Sequence, residues 1–161
     1  MYSWKIIYSN HNGFHGRTAA ALGATGQTKY QISFEPLISD AFGYYDFGDL
    51  ESVKSMVNKD TAAVMVEPIQ GEGGVVTASE EFFKGVRDIC TDAGALMIVD
   101  EVQTGIGRTG KWFGIENFDV VPDVLSLAKG LGGGAPIGAV VSTDEISKVM
   151  VPGSHGTTFG G

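Results

Sequence analysis

The sequence is short of cysteine, of basic side chains and of long apolar runs, and each shortage removes a class of function. The single cysteine, Cys90, has no intrachain disulfide partner. It falls at helical spacing with Phe82, Phe83, Val86 and Ile89, which reads as core packing. No apolar run approaches the roughly 18 residues that cross a bilayer, and the first residues lack the charged-then-apolar pattern of a signal peptide. Lys and Arg together number 11 against 19 Asp and Glu, a net charge of −8. That balance offers no basic footprint for nucleic acid or an anionic membrane, so a small molecule or a protein is the expected partner. Internal repeats and an interdomain linker are also missing. At 161 residues the chain suits one domain that buries roughly 70% of its unfolded surface.

What is present is a series of short β-branched runs, at residues 6–8, 62–66, 96–99, 124–127 and 137–141, that read as buried strands. Helical patterns lie between some of them. The clearest covers 80–92, with Thr77 and Glu80 at capping-box spacing and Gly94 placed to end it. A second is expected over 49–58, and Thr143 reads as the N-cap of a third, followed by Asp144 and Glu145 where the helix dipole favours negative charge. Continuous apolar strands alternating with amphipathic helices predict an α/β fold, a three-layer sandwich around a mostly parallel sheet. Such sheets bind ligands at the carboxyl ends of their strands. The segments 9–18, 67–74, 100–110 and 128–134 are therefore where chemistry is expected.

Two strand ends carry candidate groups. Asp100-Glu101 closes the run 96–99, which delivers a carboxylate to the carboxyl edge; an acidic pair that caps a neighbouring loop accounts for it equally well. Lys129 follows the run 124–127 and precedes the glycine-rich 130–134, where backbone can approach a ligand closely, although an exposed loop lysine has the same signature. The stretch 105–112 matches GxGxxG and most of a phosphate-binding loop. The dinucleotide fingerprint must follow its strand directly and open a helix, whereas residues 100–104 intervene; the phosphate loop needs Ser or Thr where Trp112 stands. A nucleotide-binding module is thus the weaker reading from another functional class. His11 and His15 are four apart, but Gly13 and Gly16 argue against a helix presenting both, and no metal site is assigned. His155, Thr157 and Thr158 form a glycine-flanked loop that could hold an anion or be a plain polar loop.

Taken in order, the segments 14–18 (FHGRT), 67–74 (EPIQGEGG), 100–105 (DEVQTG), 128–130 (AKG) and 155–161 (HGTTFGG) resemble the class III aminotransferases of pyridoxal-phosphate fold type I, over nearly the whole chain. Residues 24–27, Lys29-Tyr30 and 34–37 look most like the members of that class that use N-acetylornithine. The resemblance implies pyridoxal 5'-phosphate as cofactor and amino-group transfer from N-acetylornithine, or a related ω-amino donor such as ornithine or 4-aminobutyrate, to 2-oxoglutarate. It also implies a homodimer, cytoplasmic amino-acid metabolism and the arginine biosynthetic route. By the same resemblance Lys129 would carry the cofactor and shuttle the proton, and Asp100 would pair with the pyridinium nitrogen. Phe14 and Val102 would sandwich the ring, and Gln103 would hydrogen-bond its phenolic oxygen. Arg17 would clamp a substrate carboxylate, Glu67 would partner or gate an active-site arginine, and Thr157 and Thr158 would reach the phosphate of the neighbouring subunit's cofactor.

The sequence departs from the family pattern at both ends. The family's upstream Ser-Gly-Thr/Ala-Glu-Ala-Asn segment, which opens a phosphate-receiving helix, is not found, and residue 161 precedes the family's small C-terminal domain. Residues 1–161 are accordingly expected to be part of the large cofactor-binding domain, lacking the N-terminal segment and the C-terminal domain, and to turn over substrate poorly alone.

Overall fold

The computed structural model describes residues 5–156, so Thr157 and Thr158 lie outside the described residues. Its strands are β1 (Ile6–Asn10), β2 (Phe42–Tyr45), β3 (Thr61–Val66), β4 (Ile69–Gln70), β5 (Val76–Thr77), β6 (Leu96–Asp100), β7 (Val124–Leu127) and β8 (Ala139–Ser142). The helices are α1 (Ala19–Ala24), α2 (Thr28–Gln31), α3 (Leu50–Met56), α4 (Glu80–Ala93) and α5 (Asp144–Ser147). Six strands form one sheet in the order β2-β1-β3-β6-β7-β8, while β4 and β5 make a small antiparallel ribbon. All neighbours in the large sheet run parallel except β7 and β8. The result is the expected α/β fold with a mostly parallel sheet.

Helix α4 shows how the sequence makes one layer. Its side chains Phe82, Phe83, Val86 and Cys90 are buried on one stripe, as the periodicity predicts. Burying each large apolar side chain contributes roughly 1.5–3 kcal/mol. Gly94 ends the helix in the left-handed region at φ 66°, a conformation in which a Cβ is unfavourable. The N-cap differs from expectation. Thr77 is used in β5, and Ser79 instead accepts the Phe82 N–H. Asp49 caps α3 by accepting from the N–H groups of Glu51 and Ser52, and the helix stops at Met56, two residues before the expected end.

Helices α3 and α4 cover the sheet face that carries Tyr45, Val64, Val66, Met97 and Val99. Alternation sends Ser9, Phe42 and Tyr44 to the other face. There α1 accepts hydrogen bonds from Ser9 Oγ to Ala24 O and from Tyr44 Oη to Gly23 O, both 2.6 Å. Gly23 is needed for that contact, because a Cβ would stand 2.7 Å from the Phe42 ring. Helices thus lie on both faces, the second layer over β1 and β2. The final strand is shifted from the expected 137–141 to Ala139–Ser142 and forms a sheet edge among the described residues. Its antiparallel direction follows from the short 129–138 connection, which is too short for a right-handed crossover helix. No helix of the described residues is long and apolar enough to cross a membrane.

Candidate active site

The carboxyl ends of β1, β3, β6 and β7 surround one cavity of about 210 Å³, lined by Phe14, His15, Glu67, Asp100, Val102, Gln103 and Lys129, with Gly16, Glu72 and Ala128. Parallel strands bring these residues together although up to 115 positions separate them in the chain, from Phe14 to Lys129. Wider clefts exist under β8 and beside α4, but the ion pair bordering the latter, Arg87 with Asp123 at 2.6 Å, is engaged in holding the Met97 N–H.

The loop after β1 is held by side-chain amides. Gln27 Nε2 donates to Gly13 O and Asn12 O, and Gln70 Nε2 donates to His11 O. Gly26 permits the close approach, since a Cβ there would lie 2.4 Å from Asn10 O. This fixes Phe14 over the cavity, its N–H donating to Glu67 Oε2 at 3.2 Å and its ring meeting Tyr30 edge-on at 5.6 Å.

Asp100 and Glu101 divide the two readings their sequence left open. Asp100 is 6% exposed and faces the cavity, where Oδ1 accepts the Val102 N–H at 3.0 Å and Oδ2 lies 2.7 Å from His15 Nδ1. Glu101 points the other way. Its carboxylate accepts the N–H groups of Gly114 and Ile115, both at 2.8 Å, and the Thr104 hydroxyl, so it caps the 3-10 turn Gly114–Phe118.

Lys129 opens a second 3-10 turn, Lys129–Gly132, immediately after β7. Its φ of 45° is left-handed, which costs a non-glycine residue roughly 1–2 kcal/mol. Such strain at a cavity-lining residue points to function more than to folding. The side chain is exposed and, among the described residues, makes no ion pair. Val102 and Gln103 line the same wall, with Gln103 packed beside Gly71.

Arg17 is outside the cavity wall. Its guanidinium lies over Tyr30 at 4.9 Å and Phe14 at 5.7 Å, and the Tyr30 hydroxyl donates to Glu72, which does line the cavity. Glu67 lies at the cavity's buried end. It is 3% exposed, lines the cavity beneath Phe14 and, among the described residues, contacts no arginine. Burial pushes its carboxyl up from 4.5 to about 7, an effect that nearby Asp100 reinforces and His15 opposes. Asn10 Nδ2 also lies close enough to lower it slightly, but outside hydrogen-bond geometry.

Three features were not assigned from sequence. His15 was weighed only as a metal candidate, and its position beside Phe14 in the 14–18 motif was the available signal. Glu72 and Tyr30 occur in the quoted segments without a role. His11 and His15 go to different partners, the Tyr44 ring and Asp100, and among the described residues no cluster of three or more His, Cys, Asp or Glu could hold a metal. After the glycines of 105–112 comes only the short 3-10 turn Gly114–Phe118 and no α-helix, and Lys111 donates to Glu116 O, so the nucleotide-loop reading finds no support in the geometry.

Comparison with known proteins agrees with this arrangement. Residues 3–161 match the family described as aminotransferase class-III. The acetylornithine aminotransferase of Aquifex aeolicus is 51% identical over 98% of this chain and 42% of its own length. That of Methanocaldococcus jannaschii is 52% identical over 96% of the chain and 39% of its length. The ornithine aminotransferase from Toxoplasma gondii ME49 superposes with a TM-score of 0.90 at 37% identity, covering 98% of this chain and 38% of its own. The chain therefore spans about 40% of the length of the curated relatives it matches. With the motifs in order, the strand ends converging on one cavity and a family match over nearly every residue, the chain belongs to the class-III aminotransferases.

Proposed function

We propose that the chain holds pyridoxal 5'-phosphate in the cavity at the ends of β1, β3, β6 and β7. In this reading it is part of the large cofactor-binding domain of a homodimeric, cytoplasmic aminotransferase. The enzyme passes an amino group from N-acetylornithine to 2-oxoglutarate. The observation that carries the reading is the meeting of a buried carboxylate, Asp100, and a strained lysine, Lys129, on one cavity wall from adjacent strands. The names of the relatives favour N-acetylornithine over ornithine or 4-aminobutyrate as donor.

The residues present fit the cofactor. Asp100 is a buried carboxylate held by His15 and the Val102 N–H at the cavity wall, and each of its oxygens keeps a further lone pair with which it would accept a pyridinium N–H. When bound, the cofactor supplies an electron-accepting ring for charge developing on the substrate carbon. Lys129 holds it and then takes and returns the proton at that carbon. Phe14 and Val102 flank the ring and exclude water, and Gln103 donates to its phenolic oxygen. Arg17 offers its fork of N–H donors to a substrate carboxylate. Thr157 and Thr158, outside the described residues, are assigned to the phosphate of the cofactor in the other subunit.

The test is to incubate the protein with pyridoxal phosphate, reduce with borohydride and map the labelled peptide, then follow the cofactor spectrum on adding N-acetylornithine, ornithine or 4-aminobutyrate. Label on Lys129 and the fastest response to N-acetylornithine are expected. Label on Lys111 or another lysine refutes the site, and a faster response to a different donor refutes the substrate.

A further inference from the structure

We infer that His15 is a positioning residue for the Asp100 carboxylate, fixing the face it presents to the cavity; this rests on Asp100 being the partner of the cofactor's ring nitrogen. The contact from His15 Nδ1 to Asp100 Oδ2 is 2.7 Å, at the short end for a charge-assisted hydrogen bond. It is also dry, with side-chain exposures of 1% and 6%. The other oxygen, Oδ1, accepts the Val102 N–H at 3.0 Å. Each carboxylate oxygen thus has its own donor from a different segment, and rotating the carboxyl group breaks both bonds.

The backbone that carries the imidazole is itself anchored. The main-chain N–H of His15 donates to Thr25 Oγ1 at 3.0 Å, and the Thr25 hydroxyl donates to Ala21 O at 2.9 Å. Thr25 thus ties the main chain of His15 to α1, and the ring reaches from there to the end of β6. Because Nδ1 must carry the proton that faces Asp100, Nε2 of the neutral ring is an acceptor. Nε2 is buried without a hydrogen-bond partner, as is the Asn10 Nδ2 donor. Both lie against Gly13, where a Cβ would stand 3.2 Å from Nε2 and 2.5 Å from Asn10 Nδ2. A histidine kept only for packing has no need of a polar ring in so dry a place. A single charge-assisted bond that offsets its burial accounts for the choice.

The experiment compares wild type, His15→Asn and His15→Leu. Asparagine keeps an N–H donor near the Nδ1 position, whereas leucine keeps only bulk. Affinity is measured by fluorescence titration for pyridoxal phosphate and for its 1-deaza analogue, in which a CH replaces the ring nitrogen. Wild type should prefer the natural cofactor by roughly tenfold or more, the size of one hydrogen bond to a charged group. His15→Leu should lose most of that preference and His15→Asn should keep it. Equal weakening of both ligands by His15→Leu, with the preference intact, would mean that the ring only packs and would overturn the inference. A wild type that binds neither ligand, or does not distinguish them, overturns the underlying reading of Asp100 instead. Independently of any ligand, nitrogen-15 spectra of the wild-type imidazole should find the proton on Nδ1, and a proton on Nε2 alone sinks the inference whatever the variants do.

Discussion

Glu67 makes the stability of this chain depend on pH in a direction unusual for a carboxylate. Its carboxyl is pushed from 4.5 to about 7, chiefly by burial. The folded chain therefore keeps a proton that the unfolded chain releases, and stability falls as pH rises from about 4.5 through about 7, then levels off. That displacement corresponds to about 3 kcal/mol of destabilisation at pH 8. Glu67→Gln removes the ionisation yet keeps an oxygen to accept the Phe14 N–H, which Glu67 Oε2 now accepts at 3.2 Å. The variant should match wild type near pH 5 and exceed it near pH 8. For a chain of this size the gain corresponds to a rise in Tm of roughly 6–12 °C. Thermal melts of both proteins across pH 5 to 8.5, read as the difference between them, provide the assay. Two curves that run parallel across that range would refute the reasoning, because they would show that Glu67 does not ionise between the folded and unfolded values inferred from its burial.

Other outcomes follow from the same contacts. Lys129→Ala should abolish borohydride-fixed label while leaving the melting temperature little changed; retained label on another lysine contradicts the assignment. Asp100→Ala should cut cofactor affinity far more than Glu101→Ala, while Glu101→Ala, which strands the N–H groups of Gly114 and Ile115, should cost roughly 2–6 kcal/mol in a urea titration. The reverse ranking of the two in cofactor affinity would show that the roles are exchanged. The Cys90 thiol is buried and pushed up to about 11, so a thiol reagent at pH 8 should react only as the chain unfolds. Rapid labelling of the native protein would contradict its place in the core.

Elements whose pattern is local were legible in the sequence. The α4 stripe, its Gly94 stop, the buried runs that became β1, β3, β6 and β7, and the candidate groups at their carboxyl ends all depend on spacing within one segment. The ordered motifs supplied the family by resemblance. Elements that depend on partners were not legible. Strand β2 and helix α1 carry Gly23, Gly43 and several small residues and show no clear period; they form because Phe42 and Tyr44 pack on α1 across the sheet. The capping residue of α4 moved from Thr77 to Ser79 once β5 had claimed the former.

At the site, residue types and strand ends were set by the sequence, but the direction of each side chain was not. Asp100 and Glu101 are adjacent and chemically alike, and the pleat alone turns one to the cavity and the other to the 3-10 turn. The sequence does not show that Glu67 is buried beneath Phe14, and His15 has no visible partner until β1 and β6, 85 residues apart in the pair His15 and Asp100, are laid two strands from each other. Periodicity and motif order are properties of neighbouring residues, which the sequence holds. Burial, pairing and the ionisation they impose belong to residues distant in the chain, and only the folded sheet brings those into contact.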